Sequence, residues 1–222
     1  MARLTLKFAV PLLCLILFSG AFAQNAPPKE QHKREAHLVE LTSLDNTIKL
    51  DIRYATANNF VGRPVYPEAR AFLQKPAANG VVKVHRKLKE RGLGIVIFDG
   101  YRPWSITKLF WDVVADNQRK FVADPAKGSK HNRGCAVDLS VFDLKTGGLI
   151  DMPSGYDEFT ERASPTYAGG TDKQRANRDM LRKLMEDVGF TVNPNEWWHF
   201  DYKNWQDYDI YDIAFSAVGN KK

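Results

Sequence analysis

Apolar and polar positions alternate over two short stretches, His37-Leu-Val-Glu-Leu41 and Ile48-Lys-Leu-Asp-Ile52, which bracket a Ser-Leu-Asp-Asn turn and predict a pair of strands. A helical period takes over at Val81, Val84 and Leu88, predicting a helix from about Val81 to Arg91 with Gly92 as its stop. The continuous apolar run Ile95-Val-Ile-Phe98, bounded by glycines, reads as a central strand. Pro103 suits a first helical turn, and Ile106, Leu109, Phe110 and Val113 form the stripe of the helix it opens. Ala136 to Val141 alternates as a strand, and Gly147-Gly148 turns the chain. Thr171-Asp-Lys-Gln174 is a capping box for a helix with Leu181, Leu184, Met185 and Val188 on one side and Gly189 at its end. Trp198 to Tyr202 is the last strand. Between these elements, residues 54 to 79 carry Gly62, Pro64, Pro67 and Pro76 without a period, and so long a loop is usually functional. No repeat and no second compositional regime appears. The pattern predicts a single α+β domain, a central, mainly antiparallel sheet with helices packed on it.

The two ends of the pattern differ from the middle. Arg3 and Lys7 precede an apolar run, Phe8 to Phe18, and small residues follow at Ala21 and Ala23. This predicts an export signal over residues 1–23, too short to span a bilayer and interrupted by Pro11, so no stable membrane insertion is expected once it is removed. Residues 24–36 are polar, contain Pro27-Pro28 and predict a disordered leader, with the folded domain over 37–222. The expected location is the periplasm. Two cysteines exclude a disulfide scaffold, and loss of Cys14 with the signal leaves Cys135 as a lone thiol. Lysines and arginines number 32 against 26 acids, a net +6 that falls to +4 without Arg3 and Lys7; an excess so small and scattered does not imply nucleic acid.

The chemistry gathers in two places. On a strand from Ala136 to Val141, Val137, Leu139 and Val141 face the core while Ala136, Asp138 and Ser140 face the other way. Gly134 allows a tight bend that returns His131 to the side of Asp138. In Glu196-Trp-Trp-His199-Phe, period two sets Trp197, His199 and Asp201 on one face and Trp198, Phe200 and Tyr202 on the other. Two imidazoles and one carboxylate suit a catalytic zinc whose fourth position stays open. Each piece alone is compatible with an ordinary core histidine or an ion-paired aspartate. Glu196, three residues before His199, adds a candidate base for a zinc-activated water.

Ser129-x-His131-x-x-Gly134-x-Ala136-x-Asp138 and Glu196-Trp197-Trp198-His199, preceded by Asp99-Gly100-Tyr101-Arg102-Pro103, resemble the D-alanyl-D-alanine dipeptidases of the vancomycin-resistance type, zinc peptidases related to D,D-carboxypeptidases. The likeness runs from about Leu38 to Tyr211. It implies a D,D-peptidase/Hedgehog-like fold with one zinc per chain, in a cleft on the sheet. The ligands it implies are His131, Asp138 and His199, with Glu196 as general base and acid. Arg102 would face the scissile carbonyl, where a permanently charged guanidinium can stabilise an oxyanion. Tyr54, in Asp51-Ile-Arg-Tyr-Ala-Thr-x-x-Asn-Phe, and Asp157, in Met152-Pro-Ser-Gly-Tyr-Asp, match positions that hold the ammonium of D-Ala-D-Ala; Ser129 matches one at its carboxylate end.

The resistance enzymes act in the cytoplasm, so an export signal favours wall turnover or dipeptide scavenging. Alternatives are a zinc D,D-carboxypeptidase trimming peptidoglycan stems, a serine D,D-peptidase built on Ser105-Ile-Thr-Lys108 and Lys145-Thr-Gly147, and a non-catalytic zinc module that binds the wall. Cys135 reads as a small buried residue facing away from Asp138.

Overall fold

The computed structural model describes residues 26–31 and 33–218; the predicted export signal lies outside them. In chain order the elements are β1 (Leu38–Glu40), a helical turn α1 (Leu41–Leu44), β2 (Lys49–Leu50), β3 (Phe72–Gln74), α2 (Lys75–Lys89), β4 (Leu93–Asp99), α3 (Trp104–Val113), β5 (Ala136–Asp143), α4 (Asp172–Glu186), β6 (Phe190–Asn193) and β7 (Glu196–Tyr202). Five strands form one sheet in the order β2-β4-β5-β7-β6, parallel between β2 and β4 and antiparallel elsewhere. β1 and β3 make a separate antiparallel pair. The α+β, mainly antiparallel expectation holds.

Period two divides the central strands between two environments. Ile95 and Ile97 of β4 and Val137, Leu139 and Val141 of β5 join the main core, to which α2 contributes Val81, Val84 and Leu88 and α4 contributes Leu181, Leu184 and Met185. Val96, Phe98 and Phe142 form a smaller cluster on the opposite face. The site stands on that second face. The capping box at Thr171 is present, each partner accepting a backbone N–H of the other.

Several elements differ from expectation. The two alternating stretches near the start do not pair with each other. Leu41 enters the core through α1, and Asp45 accepts hydrogen bonds from Thr47 N (3.1 Å) and Oγ1 (2.6 Å), turning the chain so that β2 runs parallel to β4. Alternation specifies a strand, not its partner. α2 begins at Lys75, six residues early, because Pro76 sits in its first turn, where a missing N–H costs nothing. In α3 the buried stripe is Trp104, Thr107 and Phe110, and Val113 is 50% exposed. Strand β6 was not anticipated. No helix among the described residues is long and apolar enough to cross a membrane.

The segment expected to be a disordered leader is docked on the body of the protein. Arg34 forms a parallel bridge with Tyr208, its N–H donating to Asp207 O at 2.7 Å, and Tyr211 donates its hydroxyl to Arg34 O at 2.6 Å. Glu30 accepts two hydrogen bonds of 2.8 Å from Arg133. That guanidinium is 4% exposed, also donates to Tyr208 O and lies 5.2 Å from the Trp205 ring centre. Composition registers the local lack of apolar residues; it does not register a buried arginine elsewhere that needs an anion.

Candidate active site

Three neighbouring strands bring the functional side chains side by side. Asp138 on β5 stands opposite His199 on β7 and opposite Asp99 at the end of β4. His131 comes from a single 3-10 turn, His131–Arg133, before β5, which Gly134 closes at φ +68°. A Cβ on Gly134 would lie 2.4 Å from Leu38 Cδ2, so the bend requires glycine for both conformation and space.

Hydrogen bonds fix both imidazoles. His131 Nδ1 donates to Gly100 O at 2.7 Å, which turns Nε2 toward Asp138 Oδ1; His199 Nε2 donates to Asp201 Oδ1 at 2.9 Å, which turns Nδ1 toward the same Asp138 oxygen. These two nitrogens lie 3.2 Å apart, and Asp138 Oδ1 is 3.4 Å from the first and 3.0 Å from the second. Metal–ligand bonds of about 2.0–2.1 Å in a tetrahedron space the donors by roughly 3.3 Å. Asp138 Oδ1 is buried without a hydrogen-bond partner, while Oδ2 accepts from the Tyr156 hydroxyl at 3.1 Å. Two ring nitrogens and a carboxylate oxygen this close repel one another unless a cation, either a proton or a metal ion, lies among them. His131, Asp138 and His199 therefore fit a metal ion, and among the described residues they form a cluster with all donor atoms within 4.8 Å.

Electrostatics follow from the same crowding. Burial opposes charge on His199, yet the carboxylates of Asp138 and Asp201 raise its pKa above the ordinary imidazole value. Burial also opposes ionisation of Asp138, but the two histidines hold its carboxyl well below the usual range. Glu196 lies with Oε2 3.7 Å from His199 Nδ1, and burial pushes its carboxyl up.

Strict alternation would have set Glu196 and His199 on opposite faces. The pairing of β6 with β7 jumps from Val192–Phe200 to Asn193–Glu196, and these extra β7 residues bring Glu196 to the cleft with Trp198, correcting the expectation that Trp197 shares the face of His199. Trp197 instead donates its indole N–H to Ser154. Asn193 donates to Glu196 Oε2 at 3.3 Å.

Arg102 is buried beside the donors. Asp99 takes its Nε at 3.0 Å and its Nη2 at 2.7 Å, and the guanidinium lies 5.4 Å from the Tyr54 ring centre and 4.9 Å from that of Phe110. Tyr54, which sits in a 3-10 turn, Arg53–Ala55, and not in irregular chain as expected, donates its hydroxyl to Asp157 Oδ2 at 3.0 Å, uniting two residues 103 positions apart. Burial, reinforced by the negative charge of Asp138, lifts the Asp157 carboxyl to about 8. Ser129 lines the same cleft, its Oγ accepting from His131 N at 3.2 Å. The cleft is about 280 Å³, below the roughly 300–1,000 Å³ of sites that take drug-sized ligands.

All eight residues singled out in the sequence thus meet in one cleft. Asp99, Tyr156 and Asp201, which hold Arg102, Asp138 and His199, carried no assigned role. Asp99 had a signal, since it precedes Arg102 by three residues; nothing local links Tyr156 to Asp138. The serine-peptidase elements are elsewhere. Ser105 donates to Asp212, Lys108 pairs with Asp112, and Lys145 to Gly147 form a turn after β5. Cys135 is buried, its thiol pushed up to about 12 by that burial.

A three-donor site with a carboxylate beside it is the arrangement of a metal-dependent hydrolase. Comparison with known proteins agrees: a family model described as D-ala-D-ala dipeptidase matches residues 34–218. A D-alanyl-D-alanine dipeptidase of Escherichia coli is 33% identical over 180 residues, covering 81% of this chain and 92% of that protein. One of Enterococcus faecalis is 34% identical over 171 residues, covering 69% and 85%. A solved vancomycin-resistance D,D-pentapeptidase in complex with Zn(II) is 16% identical over 61% of this chain and 75% of that one, with a TM-score of 0.39. The chain belongs to the D-ala-D-ala dipeptidase family of peptidases.

Proposed function

We propose that the protein is a zinc-dependent dipeptidase that hydrolyses D-Ala-D-Ala to two D-alanines. The observation that carries this reading is the convergence of His131 Nε2, Asp138 Oδ1 and His199 Nδ1 in a small cleft shared with Glu196, Arg102 and the Tyr54–Asp157 pair. His131, Asp138 and His199 would hold the zinc, which would supply Lewis acidity toward water and the scissile carbonyl. Glu196, raised by burial and steadied by Asn193, takes the proton of the attacking water and passes it to the leaving amine. Arg102, with Nε and Nη2 committed to Asp99, presents a fixed cation to the oxyanion, so little reorganisation is needed as charge develops.

Asp157 with Tyr54 receives the substrate ammonium, and the ionic partner offsets the burial that otherwise keeps Asp157 protonated. A peptide bond in place of that ammonium would leave Asp157 without a cation, which favours dipeptides over longer chains. Ser129 meets the carboxylate end. With residues 1–23 read as an export signal, the activity is assigned to the periplasm, in wall turnover or dipeptide recovery.

The test is release of D-alanine by purified residues 24–222 from D-Ala-D-Ala, L-Ala-L-Ala and a pentapeptide ending in D-Ala-D-Ala, with and without a chelator. Chelator-sensitive cleavage confined to the D,D-dipeptide is expected. Trimming of the pentapeptide alone would make the enzyme a carboxypeptidase and remove Asp157 from ammonium binding. Zinc binding without any cleavage would leave a wall-binding module.

A further inference from the structure

Of the three metal donors, Asp138 and His199 sit on paired strands, whereas His131 sits on a short turn outside the sheet. Lys130, the residue before His131, reaches across to β7, where its Nζ donates to Asp201 Oδ2 at 2.6 Å. The other oxygen of Asp201 accepts the Nε2 proton of His199 at 2.9 Å. The Lys130 ammonium also lies 5.2 Å from the centre of the Trp205 ring, opposite in sequence to Arg133, which contacts the same ring from the other end of the turn.

We propose that Lys130 and Asp201 act together as positioning residues for the metal centre, one ion pair that sets the His199 ring and clamps the His131 turn against β7. The inference rests on the reading of His131, Asp138 and His199 as a metal site. Its physical basis is that a carboxylate holding the far nitrogen of a ligand histidine sets both its tautomer and its orientation. A carboxylate free to rotate would do this poorly, and Lys130 removes that freedom. The Lys130 side chain is 37% exposed but that of Asp201 only 12%, so removing one partner also costs some folding stability. The positioning role is read in metal binding by protein that is still folded.

The experiment measures cobalt(II) affinity by competition with a chromophoric chelator, and the visible absorption of the cobalt complex, for wild type, Lys130→Met, Lys130→Arg, Asp201→Ala and the Lys130→Met/Asp201→Ala double variant. Urea unfolding of each metal-free protein is run alongside. Expected are a 10–100-fold weaker affinity and an altered cobalt spectrum for Lys130→Met and Asp201→Ala, near-complete rescue in Lys130→Arg, and a double variant no weaker than Asp201→Ala. The metal-free variants should unfold cooperatively and remain folded under the assay conditions, so that a modest drop in midpoint does not account for the loss of affinity. Wild-type affinity in both single variants overturns the inference alone, as does an affinity loss that tracks lost folding. A wild-type protein that binds no cobalt overturns the metal reading and this inference with it.

Discussion

Replacing Glu30 by Gln removes the anion that meets Arg133 and tests whether the N-terminal segment is part of the folded body. Hydrogen bonds from Arg133 lower the Glu30 carboxyl from 4.5 to about 2, against an opposing effect of burial and with help from Lys33. A shift of that size corresponds to about 3 kcal/mol before screening. The Glu30 side chain is 32% exposed, so solvent reduces the figure to about 1–2 kcal/mol. Because the folded pKa is depressed, this stability is fully present above pH 4.5 and is lost as pH falls toward 2. Urea unfolding of residues 24–222, wild type and Glu30→Gln, at pH 7 and at about pH 3 measures it. The variant should have a lower midpoint at pH 7 with an unchanged slope, and more than half of the difference should vanish at pH 3. Equal midpoints at pH 7, or a difference that ignores pH, would refute the docking of the segment and the role of Arg133 in it.

Three further outcomes follow from the cleft. Glu196→Gln should keep its metal and lose about 10²–10⁴-fold in kcat, since the amide cannot take a proton; unchanged turnover removes Glu196 from the mechanism. Arg102→Ala should lower kcat by about 10²–10³ with a smaller effect on KM, read from initial rates on D-Ala-D-Ala, and an unaltered rate rejects its oxyanion role. For Asp157, lifted by burial to about 8, binding of an uncleavable dipeptide analogue should tighten by about tenfold per pH unit from pH 6 to near 8 as the carboxyl ionises. Calorimetry should show that Asp157→Asn binds weakly and without that dependence; a wild-type affinity flat over this range contradicts the assignment.

The sequence alone determined what is local. Helical and strand periods marked β4, α3, β5, α4 and β7 within a few residues, because each period reports which face of its own element is buried. The ligands were legible as residue types at short spacing: His131 and Asp138 flank one bend, and Glu196 and His199 share one strand. Arg102 and its holder Asp99 lie three residues apart. Tertiary structure decided everything that depends on closure between distant segments. It paired β1 with β3 and not β2, and shifted β7 against β6 so that Glu196 turned to the metal side. It set Tyr156 against Asp138 and Tyr54 against Asp157, and drew Glu30 onto Arg133. Those contacts answer to charges and cavities that exist only after the chain has folded. A buried guanidinium selects its carboxylate by proximity and low dielectric, and neither quantity is written in the period or composition of the segment that supplies it.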